Sequence, residues 1–138
     1  MPLLPRTPGL TWRALTVGDV DAWFTLVELI QIHDDERELT TRADTQRVTS
    51  QSWVDLSKET LVGIDAGGRF RAVGRVVHRP GPSDRVSVTL VGGVDPEWRG
   101  RRVGRELLRW QHERGIERIA ERRAEDPDVG GKPAGLGI

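Results

Sequence analysis

Apolar and polar positions alternate, recur or cluster along this chain in a way that lays out one sequence of elements. Leu10 to Leu15 reads as a first strand, after a loose, Pro-rich lead-in over residues 1–9. Thr16 with Asp19 three residues on is a helix-start signal, with Asp in place of the usual Glu or Gln. Val20, Trp23, Phe24, Val27 and Ile30 then fall at helical spacing, which predicts a helix with one buried face. Asp34 to Glu38 reads as an acidic loop. A second helix is expected over Thr45 to Leu56, with Val48, Ser52, Trp53 and Leu56 near one face. Three apolar runs follow: Thr60 to Ile64, Ala72 to His78 and Arg85 to Val94. The turn residues Asp65-Ala66-Gly67-Gly68 and Pro80-Gly81-Pro82-Ser83-Asp84 separate them. Connections this short imply an antiparallel meander.

Composition narrows the class. A chain of 138 residues suits one domain, and 36% hydrophobic with 30% charged residues describes a soluble globular protein. No apolar run reaches the length of a membrane span or forms a signal peptide at the start, so a cytoplasmic location and no membrane partner are expected. The absence of Cys excludes disulfides, a thiol nucleophile and a thiolate metal site. His33, His78 and His112 are too scattered to suggest a metal cluster.

Charge is balanced overall but not locally. From Arg99 to Arg123 there are nine Arg against four Glu, a local +5 within a chain of formal net charge zero. Such a distribution speaks for one basic region facing a specific anion and against a generally nucleic-acid-binding surface. Part of the excess belongs to a charged helix face, where Arg114 with Glu117 and Arg118 with Glu121 are spaced to pair.

The most specific stretch runs from Val94 to Leu108. A strand ends through Asp95-Pro96 in an Arg- and Gly-rich loop, and an amphipathic helix begins at once. Loop amides and a helix N-terminus together favour a phosphorylated ligand. The stretch resembles the coenzyme A signature of the GCN5-related N-acetyltransferases, the GNAT superfamily. Val94, Pro96, Arg99 and Gly104 are in register with that signature, and Leu107-Leu108 match the apolar pair that follows it. Arg102 departs from it, standing where the family has the first of two spaced glycines.

The resemblance implies an α/β fold of the acyl-CoA N-acyltransferase type: a mixed, largely antiparallel sheet flanked by helices. It covers residues 10–138 as a partial acetyltransferase domain that stops where the family continues with a helix and two strands. It implies acetyl-CoA as acetyl donor and a small-molecule or peptide amine as acceptor. By position, Gly92, Gly93 and Val94 would pair with the pantetheine arm. The pyrophosphate role falls to Arg99, Gly100, Arg101, Arg102, Val103, Gly104 and Arg105, chiefly through main-chain amides. The paired glycines suit a bulge or a close backbone approach. Similar enzymes use a Tyr to protonate the leaving thiolate, and this chain has no Tyr. His78 and Asp84 flank the meander turn without a catalytic assignment. Asp34, Asp35, Glu36 and Glu38 would form an acidic rim at the acceptor entrance. Three readings follow: an N-acetyltransferase, an acetyl-CoA-binding module without catalysis, and a small interaction or nucleic-acid-binding domain using the Arg-rich helix. A second half-domain or a homo-oligomer is the expected completion.

Overall fold

Alternation within the strands builds a sheet with two buried faces, and the computed structural model describes it through residues 1–78, 86–125 and 134–137. The five strands β1 (Thr11–Arg13), β2 (Thr60–Ile64), β3 (Phe70–Val77), β4 (Val86–Val94) and β5 (Ala134–Gly137) lie in the order of their numbering. β1 to β4 are antiparallel neighbours, as the short connections require, and β5 pairs with β4 in parallel. The expected turn Pro80 to Asp84, with Arg79 and Arg85, and residues 126–133 and 138 lie outside the described residues.

The helices cover the two faces. Leu61, Ala72, Val76, Val88 and Leu90 pack with Val103, Leu107, Trp110 and Ile119 of α4 (Val103–Glu125). On the other face Leu15, Val62, Phe70 and Val73 meet Trp23 and Leu26 of α1 (Val20–Asp34). Period-2 alternation sends Leu61 and Val62, or Ala72 and Val73, to opposite faces. Phe70 shares a face with Val73 because the β2–β3 register passes from Gly63↔Ala72 to Ile64↔Phe70. Arg71 is the extra residue of this bulge, which re-aims the strand end as bulges do.

Two expectations need adjusting. The second helix is not continuous from Thr45 to Leu56. Thr41 and Asp44 form a capping box that starts α2 at Arg42, and the extended backbone of Gln51 ends it at Ser50. Asp55 then accepts from the Ser57 amide at 3.0 Å and caps a separate turn, α3 (Leu56–Glu59). Residues 1–9 have no regular structure yet are tied down. Thr7 is buried and accepts from the Trp12 indole at 2.8 Å, and the Leu3 carbonyl accepts from Arg109 at 3.1 Å.

Candidate functional site

The site begins with one uncovered stretch of strand. β5 pairs with β4 only over Val86 to Thr89, and no described strand continues beside residues 90–94. The Asp95 amide donates to the Arg71 carbonyl at 2.7 Å, one step beyond the Ala72↔Val94 pair. Bonded and non-bonded pairs alternate in an antiparallel ladder. Val91 and Gly93 therefore turn their backbone groups toward β3, and Gly92 and Val94 turn theirs toward the open side. The ladder is unbroken from Ala72↔Val94 to Val77↔Thr89, so Gly92-Gly93 is a close approach and not a bulge. A Cβ on Gly92 would stand 2.6 Å from the Val73 carbonyl oxygen.

Below this edge, the strand end is held by a buried acid. Asp95, 3% exposed, accepts from the Glu97 amide at 2.9 Å and so caps the short 3₁₀ turn Pro96–Trp98. Its other oxygen accepts from Arg71 at 2.7 Å, and Arg71 also donates to Asp65 at 2.7 Å. The Arg71 guanidinium lies 5.7 Å from the Trp98 ring and Arg101 lies 4.7 Å from it, both within cation–π range. Sequence reading missed Arg71. Its role depends on a bulge that brings two distant carboxylates to one guanidinium, a fact no local spacing encodes.

The loop itself turns twice through left-handed backbone. Gly100 has φ +80° and Arg102 has φ +66°. Glycine enters that region freely, whereas a residue with a Cβ pays about 1–2 kcal/mol. Arg102 thus holds the conformation that the signature's glycine would hold without strain. The first hydrogen bond of α4 runs from the Glu106 amide to the Arg102 carbonyl at 3.0 Å. The preceding amides of Val103, Gly104 and Arg105 are the free donors of a helix start. Gly104 is exposed, and a Cβ there would meet only Val94 Cγ2 at 3.5 Å.

The arginines sort into two groups. From Arg109 to Arg118 along α4 they are engaged by carboxylates. Arg114, 2% exposed, donates to the Lys58 carbonyl, Glu117 and Glu121. Arg118 pairs with Glu121 at 3.3 Å and lies 3.7 Å from buried Glu59. Arg109 pairs with Glu106 and Glu113. The pairs expected on a solvated face are present, but Arg114 is core. A nucleic-acid surface built on this helix loses these three cations to their contacts. Arg101 and Arg102 in the loop and Arg105 in the first turn of α4 are exposed and have no carboxylate partner among the described residues. Arg99 is different: its guanidinium holds Asp34 through two 2.9 Å bonds and donates to the Val94 carbonyl at 3.2 Å. That pairing, before the contact with His33, holds the Asp34 carboxyl far below the usual carboxylate range.

A groove of about 690 Å³ opens between α1, α2 and the sheet and runs to Val91, Gly92 and Gly93. Trp23, Val27, Ile30, Val48 and Trp53 give it apolar walls, and Glu36, Asp44, Arg47 and Arg75 bring charge to it. Of the acidic rim, Glu36 lines the groove and Asp34 is engaged by Arg99.

His78 lies outside that groove, and Asp84 lies outside the described residues. His78 is 7% exposed, and its Nε2 stands 3.2 Å from Arg122. Arginine can only donate, so Nε2 accepts and the proton sits on Nδ1. Burial, then the charges of Arg118 and Arg122, lowers its pKa to about 4. Burial of Glu59 acts in the opposite sense and raises that carboxyl. For His78 the unfolded chain takes up the proton first. Its contribution is complete above the ordinary value of about 6.5 and is lost as pH falls toward about 4. The loss amounts to roughly 2–3 kcal/mol. Urea midpoints at pH 7 and pH 4.5 should therefore fall further in the wild-type chain than in His78→Gln. Parallel pH dependences would exclude this account.

The mycothiol acetyltransferase of Salinispora arenicola (strain CNS-205) is 33% identical over 110 residues, covering 78% of this chain and 35% of that protein. The GCN5-related N-acetyltransferase of Sphaerobacter thermophilus superposes with a TM-score of 0.69 at 24% identity, over 86% of this chain and 35% of that one. The GNAT domain of S. lividans PAT gives a TM-score of 0.60 at 21% identity, over 79% of this chain and 66% of that one. The chain spans about a third of the length of the first two. No family model matches it.

Proposed function

Because the chain belongs to the GCN5-related N-acetyltransferase superfamily, we propose that it binds acetyl-CoA and that its domain transfers the acetyl group to an amine. The observation that carries this reading is the continuity of one surface. The open edge at Gly92 and Val94 leads into the twice left-handed loop Gly100 to Arg102 and on to the free amides at the start of α4. An extended amide-bearing arm fits the edge as an added strand. A pyrophosphate fits the loop, where main-chain donors, the helix dipole and three exposed guanidiniums coincide.

The acceptor, in this reading, is a small-molecule amine held in the groove that ends at Gly92 and Gly93. A deprotonated amine there attacks the thioester carbonyl. The C–N bond forms as the C–S bond breaks, the thiolate leaves, and the amine's surplus proton passes to solvent or a base. Proximity supplies much of the rate, because the groove and the open edge meet at the same two glycines. No side chain is assigned as base or acid.

The test is a calorimetric titration with acetyl-CoA. Gly104→Val leaves the fold room, since its Cβ meets only Val94 Cγ2 at 3.5 Å. It crowds the phosphate position and should weaken binding by about 1–3 kcal/mol, as overpacking does. Unchanged affinity would exclude the loop as the coenzyme site. Arg102→Gly, which relieves the left-handed strain, should keep or improve affinity if main-chain amides do the binding. Amine-dependent release of free thiol separates transfer from binding without catalysis.

A further inference from the structure

We propose that Asp34 and Arg99 form a strut that sets the coenzyme loop against the acceptor groove, with Arg99 a positioning residue and not an anion ligand; this rests on the reading of the loop as the coenzyme site. Arg99 belongs to the signature, and a basic side chain beside a pyrophosphate loop invites a direct contact. Its geometry points elsewhere. Nη1 and Nη2 each donate to one oxygen of Asp34 at 2.9 Å, a planar fork on a carboxylate, and Nε donates to the Val94 carbonyl at 3.2 Å. Every nitrogen of the guanidinium is engaged, and its charge is neutralised by the acid it holds.

Each end of the strut sits on one half of the site. Asp34 is the last residue of α1, and Asp35 follows in the left-handed conformation at φ 50°. The Glu36 amide then donates to the Gln31 carbonyl at 3.2 Å, which places Glu36 in the groove wall. The Gln31 side chain donates to the Thr40 carbonyl at 3.1 Å and fixes the opposite lip. The far end of the strut takes the Val94 carbonyl, which faces the open edge. Any arm pairing along that edge therefore shares its last acceptor with Arg99 and meets its first unshared one at Gly92. One bidentate pair thus joins the turn that shapes the groove to the residue where the edge passes into the loop.

The experiment compares wild type, Asp34→Asn, Arg99→Gln and the double variant by acetyl-CoA titration at low and high salt. It also follows the loop amides of residues 100–104 by NMR without ligand. A strut predicts that each single variant weakens binding by a similar factor, about threefold to tenfold. The double variant should be no weaker than either single one, because the same contact is removed once. The salt dependence of binding should match wild type. A phosphate-ligand role for Arg99 would instead flatten the salt dependence in Arg99→Gln and make Asp34→Asn bind more tightly, and either result overturns the proposal. Wild-type affinity in all the variants overturns it as well. If the wild-type chain fails to bind acetyl-CoA, the coenzyme reading falls, and the NMR arm decides the strut on its own. Both single variants should move the same loop resonances, and loop signals unmoved by Asp34→Asn overturn it.

Discussion

Gly92→Ala is expected to destabilise the fold by about 2–3 kcal/mol, at the upper end of what overpacking costs, and to reduce acetyl-CoA binding with it. The new Cβ would lie 2.6 Å from the Val73 carbonyl oxygen, 3.2 Å from Gly74 Cα and 3.4 Å from Gln111 Nε2. A backbone oxygen and a backbone carbon cannot rotate aside. Relief requires prying β4 from β3 where Gly74 faces Gly92. Gln111 clamps that same place, donating to the Arg75 carbonyl at 3.1 Å and the Val91 carbonyl at 2.9 Å. Moving the strand therefore also leaves a buried amide poorly bonded, a further cost. Gly93→Ala is the control. Its Cβ would meet Ile30 Cδ1 at 2.9 Å, the end of a flexible side chain, and should cost under about 1 kcal/mol once that methyl turns away. Urea unfolding measures both. Equal losses would mean that the close approach at Gly92 is not what the position requires. The link to function is geometric: the backbone groups of Gly92 face the open edge, so a strand displaced there presents its amide and carbonyl in the wrong place.

How far the site could be read from sequence follows from how local each cause is. Strand alternation, the Thr16–Asp19 start of the first helix and the short turns act over a few residues, and the antiparallel order β2-β3-β4 is as the turns require. The Val94 to Leu108 stretch was legible for the same reason. Strand end, loop and helix start are contiguous, and even the misfit at Arg102 shows as a left-handed residue where a glycine would be unstrained. Long-range causes were not legible. Thr41 with Asp44 sets the start at Arg42, and the extended Gln51 followed by the Asp55 cap on Ser57 breaks the helix after Ser50, against the apolar spacing of Val48, Ser52, Trp53 and Leu56. The acidic run Asp34 to Glu38 resembles a solvated loop, yet Asp34 is engaged across 65 positions by Arg99. Basic composition pointed to one region of the chain but could not say which of its arginines are engaged. That depends on carboxylates and carbonyls supplied by other elements.

Arg114 is where that distinction has its largest measurable consequence. Arg114→Ala should destabilise the fold by about 2–4 kcal/mol, while Arg109→Ala, one helical turn away and formally similar, should cost under about 1 kcal/mol. Arg114 is 2% exposed and makes four bonds: to the Lys58 carbonyl at 2.8 Å, to Glu117 at 3.0 Å, and to Glu121 at 2.8 and 3.1 Å. Removing it leaves the Lys58 carbonyl without that donor, deletes a long buried stem and opens a cavity under α4. The side chains of Glu117 and Glu121 are 37% and 43% exposed, so both carboxylates can rehydrate, which keeps the cost below that of stranding a fully buried charge. Arg109 is 34% exposed and holds Glu106, Glu113 and the Leu3 carbonyl at the surface, where water competes and salt screens the two ion pairs. Raising salt should therefore shrink the Arg109 effect and leave the Arg114 effect. Arg114→Lys should recover less than half the loss, because one ammonium cannot span a carbonyl on one side and a bidentate carboxylate on the other. Equal costs for the two alanine variants in urea unfolding would return Arg114 to the class of surface pairs. The loop proposed for the coenzyme lies at the opposite end of α4, before Val103, and is held there by Arg99, Asp95 and Arg71. In the fraction that remains folded, Arg114→Ala should therefore bind acetyl-CoA with wild-type affinity, whereas Gly92→Ala should not.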